Sequence, residues 1–270
     1  MKILYVTMSG CNETTDIKEL ATLLRHYPHA EIGIQVSPLK CSADSERMKW
    51  IKSLAQYLRC HRQTINAALH INPSWVGDFM QGYIAPELKT LLDMRNNADY
   101  PFFQRLQLNF LVGREEAPKV DVFTTLMKMY PNQRFILPYN QNNEAFIREL
   151  YQRYTEDTRL QFSSEAFCIL YDSSHGEGVV PKERPASVFN DIVQGYAGGI
   201  SSENVAKVLD QIVEQDTLVP NFSGITIDAE GKLKNEKGVF DLERARAYLS
   251  AATKWINKHS FMQSCGVVEE

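Results

Sequence analysis

Apolar residues recur along this chain in two alternating rhythms, short dense runs and longer stretches in which they return every three or four positions. The first reads as buried strands and the second as amphipathic helices. Residues 3–8 form the first strand, and 16–26 put Ile17, Leu20, Ala21 and Leu24 on one helical face. The strand at 31–36 precedes a long helix over 45–62, with Met48, Ile51, Leu54, Ala55 and Leu58 inward. A third strand spans 67–72, followed by helical segments at 76–81 and 86–94. The rhythm continues with a strand at 105–112, a helix at 120–130, a strand at 134–138 and a helix at 143–154.

The stretch 167–231 holds three more strand-like runs, each ending in a polar or glycine-rich turn. FCILYDSSHGEG sets Asp172 at a strand's carboxyl end, VQGYAGGISSENV carries a glycine pair, and FSGITIDAEGK closes with Asp228. Between the last two, Val205, Val208, Leu209 and Ile212 have helical spacing. A final helix is predicted over 242–258. Eight strands alternating with helices, without a Pro/Gly/Ser-rich linker, predict an α/β fold: a single-domain (β/α)8 TIM barrel over 1–258, with a loosely held tail at 259–270. An open doubly wound sheet has the same rhythm and is the alternative.

Candidate chemistry gathers where such folds place it, at the strands' carboxyl ends. Gly198, Gly199 and Ser201 before one helix, and Gly231 after the last strand, suit a phosphate. Glycines let backbone N–H groups approach an anion, and a helix amino end carries partial positive charge. His175 follows Asp172 by three residues and can form an acid/base pair with it. His70 and Asn72 end the third strand, Asn109 lies in the fourth, and Tyr139 and Asn140 end the fifth. Trp75 and Tyr83 are candidates to stack on a planar substrate.

AGGISSENV resembles the strand-seven turn of phosphoribosylanthranilate isomerases, in which a Gly-Gly pair precedes a helix opening Pro/Ser-Glu-Asn-Val. IDAEGKLKNEKGVFDLERARAYL is similar to that family's last strand, phosphate loop and closing helix, and YDSSHGEG to its strand-six end. The resemblance covers the last hundred residues and is faint before them. It implies an Amadori-type isomerisation of a phosphoribosyl amine, with Asp172 as the general acid that opens the ribose ring. The family's base is a Cys in a strand-one pattern, Lys-Ile-Cys-Gly-hydrophobic-Thr. Aligned on Lys2 to Thr7, that pattern puts Leu4 where the thiol belongs, leaving Cys11, beyond the strand, as the nearest thiol. The family's Arg in Ser-Pro-Arg has no counterpart in 36–42, where Lys40 offers only a point charge. Lys40 and Asp228 are the expected substrate-binding residues. Without a strand-one base, turnover of phosphoribosylanthranilate is expected to be weak.

Composition narrows the partners. The 270 residues carry a net charge of −4 with no basic run, which argues against nucleic acid and membrane surfaces and leaves a small phosphorylated sugar as the expected ligand. The N-terminal apolar stretch is too short and interrupted for a signal peptide or span. Five cysteines without Cys-X-X-Cys spacing fit free thiols in a reducing cytoplasm, with no metal site or cofactor implied. Two functions stand open: an isomerase-like phosphosugar enzyme, and a non-catalytic ligand-binding or interaction protein on the same barrel. Oligomeric state is not legible.

Overall fold

The computed structural model describes residues 2–110, 119–156, 166–172, 181, 185–218 and 223–265. Eight parallel strands pair in chain order and β8 closes on β1, so the barrel forms and the open sheet does not. The strands are β1 (Ile3–Ser9), β2 (Ala30–Val36), β3 (Asn66–Ile71), β4 (Arg105–Leu108), β5 (Arg134–Pro138), β6 (Phe167–Tyr171), β7 (Val193–Tyr196) and β8 (Ile225–Ala229). The helices are α1 (Ile17–His26), α2 (Glu46–Cys60), α3 (Pro73–Met80), α4 (Pro86–Leu92), α5 (Val120–Met129), α6 (Glu144–Glu156), α7 (Val205–Leu218) and α8 (Leu242–Cys265).

Helix starts follow side-chain capping. Asp16, Ser45 and Asn72 accept from the amides of Glu19, Met48 and Ser74, so they sit just outside the helices that the apolar spacing had extended over 16 and 45. Two other boundaries differ. The fourth strand stops at Leu108, and the end of its expected span, 111–112, lies outside the described residues. The last helix does not end at 258 but continues to Cys265, with the His259 ring stacked 3.7 Å from that of Trp255.

Alternation along the strands sets two environments. Ile32, Ile34 and Val36 of β2, Leu69 and Ile71 of β3, and Leu106 and Leu108 of β4 face the helices and belong to one large apolar cluster. The opposite parity lines the barrel interior, and it is divided. On β5 to β7 the interior above Arg134 is apolar: Ile136, Cys168, Leu170, Val193 and Ala197 cluster with Ala68, and Leu4 packs against them. On β8 and β1 to β4 it is polar, with Thr7, Ser9, Glu31, His70, Arg105, Gln107 and Thr226 all buried.

The lower part of that polar arc is held by one ion pair. Arg105 Nη1 donates to Glu31 Oε1 at 2.7 Å, with both side chains almost wholly buried. Thr7 Oγ1 donates to the same oxygen at 2.7 Å, Arg105 Nη2 to Cys168 Sγ at 3.2 Å, and the guanidinium lies 4.8 Å over the Tyr5 ring. Breaking such a pair leaves one uncompensated buried charge, which costs far more than removing both. Arg105→Leu is therefore expected to destabilise the fold by about 3–5 kcal/mol in urea unfolding, and the Glu31→Leu/Arg105→Leu double variant by much less. Equal losses in the single and double variants would contradict the pair's role.

Candidate active site at the carboxyl mouth of the barrel

The mouth is built from the last inward residues of each strand, and its centre is Asp228 of β8. Asp228 sits in register with Thr7 of β1, one position below the mouth. Ser9, two residues further along β1, donates its hydroxyl to Asp228 Oδ1 at 2.6 Å. Surrounding protein pushes the carboxyl up to about 7; the Ser9 hydrogen bond pulls it back, while the charges of Glu230, Glu31 and Asp172 add to the rise. A carboxyl poised near neutrality can both give and take a proton at the pH where the protein works.

Around it the neighbours are fixed. Ser9 pairs in register with Gly33 of β2, and Gln35 of β2 with His70 of β3. A Cβ on Gly33 would lie 2.4 Å from Ser9 Oγ and 2.7 Å from His70 Nε2, so glycine is what allows these two side chains to converge. Glu230 Oε1 accepts from Gln35 Nε2 at 2.9 Å and from Lys234 Nζ at 2.7 Å, which ties β8 to β2 across the mouth. Beyond this lies a polar cleft of ≈ 90 Å³ lined by Gln35, Ser37, Lys40, His70, Asn72 and Asn109. Burial lowers His70 to about 4, with Glu230 opposing and Arg105 assisting, so its imidazole is neutral.

The expected site residues fall into three groups. Asp172 stands at the carboxyl end of β6, half-buried and within electrostatic reach of Asp228, and Lys40 borders the polar cleft. Asp228, expected to bind substrate, is the carboxyl at the mouth whose proton affinity is raised to near neutrality. Cys11 is a correction: it is fully buried in the apolar core, where burial pushes its thiol far up, so it supplies no thiolate. Trp75 is likewise buried, anchoring α3, and does not stack on a ligand. His175 lies outside the described residues.

The glycine turns are mixed. Gly198 and Gly199 have φ of +93° and +64°, which only glycine adopts readily, so the turn before α7 depends on them. Ser201 does not offer its amide, which donates to Asn204 Oδ1 at 2.8 Å, while Asn204 Nδ2 donates to the Gly199 carbonyl at 2.9 Å. Gly231 opens a short 3-10 turn, lies outside the left-handed region, and has open space where a Cβ would point, so neither torsion nor packing demands glycine there.

Leu4 also reads differently in three dimensions. It lies at the amino end of β1, its side chain against the interior apolar cluster and near Gly224, remote from the mouth. The β1 residue at the mouth is Ser9, which, like the family's thiol, directly precedes a glycine. Sequence reasoning missed Ser9, Gln35 and Glu230. For Ser9 and Gln35 the signal was the alternation of non-aliphatic residues at 5, 7, 9 and 31, 33, 35; for Glu230 it was only the place directly after the last strand.

No family model matches the chain, and no curated protein does. Among solved structures, the barrel is similar to TrpF from Jonesia denitrificans, at 15% identity and a TM-score of 0.51, covering 93% of this chain and 98% of that one. It is also similar to the phosphoribosylanthranilate isomerase of Thermotoga maritima, at 12% identity and 0.50, covering 93% and 99%. A glycoside hydrolase family 30 xylanase, Xyn30A from Clostridium acetobutylicum, matches at 10% identity and 0.52, covering 94% and 71%. Likenesses this remote define the class as a (β/α)8 barrel.

The tuning of Asp228 has a thermodynamic cost with a definite sign. Its folded value of about 7 lies above the ordinary 3.8, so the folded state binds the proton more tightly than the unfolded chain. Ionisation therefore leaves stability untouched below about pH 4, erodes it between 4 and 7, and is fully felt above 7. Asp228→Asn is expected to be more stable than the native chain at pH 8 by about 2–4 kcal/mol, discounting for solvent at the mouth, with the gap closing toward pH 4. Chemical denaturation across pH checks this; a variant less stable at every pH would contradict it.

Proposed function

We propose that this barrel binds a small phosphorylated sugar and isomerises it by moving a proton between adjacent carbons, in the manner of an Amadori-type aldose–ketose rearrangement. The observation that carries this reading is Asp228, a carboxyl near neutrality, hydrogen-bonded to Ser9 at the centre of the mouth. The isomerisation neither gains nor loses atoms: a proton leaves C2 and one is delivered at C1. A single group with a pKa near 7 serves both halves, accepting as carboxylate and donating as acid.

Asp172, across the mouth on β6, takes the complementary part. It protonates the ring oxygen so that the ribose opens before the C2 proton becomes labile. Substrate phosphate is assigned to the Gly198–Gly199 turn, where backbone conformation rather than side-chain charge governs the approach. The serine amide beyond it is already engaged, so the anion lies nearer the glycines than Ser201. Lys40 attracts an anionic group at the far side of the cleft but lacks the guanidinium fork, which weakens binding of an aromatic carboxylate without touching the proton transfer. Support also comes from the two similar barrels whose names are TrpF and phosphoribosylanthranilate isomerase, while the similar xylanase keeps fold alone from deciding the matter.

The test joins calorimetric titration with ribose 5-phosphate to a fluorescence turnover assay on phosphoribosylanthranilate. Binding and turnover are expected in the native chain, with Asp228→Asn lowering turnover by about 10² to 10⁴ while binding persists, and Cys11→Ala leaving both unchanged. Binding without turnover would favour the non-catalytic reading. Absence of both would overturn the proposal.

A further inference from the structure

Three buried side chains among the described residues, Glu31, His70 and Tyr248, carry an unpartnered polar atom, and of these His70 lines the polar cleft. Its side chain is 2% exposed, and Nε2 has no hydrogen-bond partner among the described residues. Buried polar atoms are nearly always partnered, so one left open inside a mouth points to a group that arrives from outside. Three features of the geometry say what that group is. The imidazole converges with Ser9 Oγ over the bare backbone of Gly33, and Ser9 in turn donates to Asp228. It lines the polar cleft together with Gln35, Asn72 and Asn109, uncharged amides that both donate and accept, as a polyol requires. Its place on the barrel wall is fixed by register, since it lies beside Gln35 of β2 and Gln107 of β4.

We propose that His70 is a catalytic residue that hydrogen-bonds, through Nε2, the carbonyl oxygen of the open-chain sugar, on the carbon next to the one whose proton Asp228 takes. This rests on the isomerase reading and adds the position of the reacting carbon, beneath the β2–β4 side of the mouth. When the C2 proton leaves, electron density accumulates on the oxygen at the neighbouring carbonyl carbon. A fixed neutral N–H aimed at that oxygen stabilises the developing charge without first having to lose water. No proton need be transferred from the ring: Asp228 takes and returns the proton, and the imidazole only polarises. Neutrality follows from the burial of the ring, assisted by Arg105 nearby; the opposing group is Glu230, already paired with Lys234.

Nitrogen-15 NMR of the imidazoles in the full chain tests this, with ribose 5-phosphate as the probe and His70→Gln assigning the resonance among the six histidines. The His70 ring is expected to stay neutral from pH 5.5 to 8 and its Nε2 signal to move on saturation with the sugar phosphate. His70→Gln is expected to bind ribose 5-phosphate about tenfold more weakly, and Gly33→Ala, whose Cβ would part Ser9 from the ring, to weaken it similarly. In turnover, His70→Gln should lower kcat more than it raises KM, a split that a merely structural role would not give. If Gly33→Ala does not fold, the NMR and His70→Gln results stand alone. Calorimetric binding with an unmoved His70 signal would overturn this assignment and leave the isomerase reading intact. No binding at all would overturn both.

Discussion

Closing eight parallel strands into a barrel forces every second residue of each strand into an interior with little room for water. Whatever polarity the sequence places there must be satisfied by the chain itself or by a ligand. This protein meets the constraint unevenly: apolar side chains fill the β5–β7 side, and the β8–β4 arc is filled with charge. Low in the barrel the solution is largely internal, with Glu31 Oε1 accepting from Arg105 and Thr7 at 2.7 Å each, while Glu31 Oε2 has no partner among the described residues. At the mouth it is incomplete. Asp228 has one hydrogen bond from Ser9 and three carboxylates within electrostatic reach, and the facing His70 nitrogen has no partner among the described residues.

That gradient connects stability with chemistry. A dry, packed base makes the strand ends rigid, and rigid strand ends hold Ser9, His70 and Asp228 within a narrow space. Burial, reinforced by the neighbouring carboxylates, raises the proton affinity of Asp228, which is costly to the fold at alkaline pH but sets a carboxyl at the working point of an acid/base catalyst. Gly33 is the smallest part of this arrangement and among the most exacting, since any side chain there would occupy the place where serine and imidazole meet.

Much of this was legible in the sequence. The eight strands could be read from apolar density, and the helices from the three-to-four spacing, because each element buries one continuous face. The site was half legible: Asp172, Asp228, Lys40 and the glycine pair stand at strand ends, where position alone marks them. The tuning of Asp228 was not, since its perturbing groups come from β1, β2 and β6 and meet only on closure. Cys11 misled because one residue past Gly10 the chain turns from the mouth into the core. For Leu4, a short motif fixes no register: the pattern aligns near the amino end of β1, whereas the β1 residue at the mouth is Ser9.

The account depends on the proton affinity of one carboxyl, and carbon-13 NMR of the Asp228 side-chain carboxyl carbon across pH measures it directly. A titration midpoint near 7, lowered only in part when Glu230→Gln removes one neighbouring charge because burial still holds it up, is the predicted result. A midpoint near 4 in the native chain would show an ordinary surface-like aspartate and contradict the account.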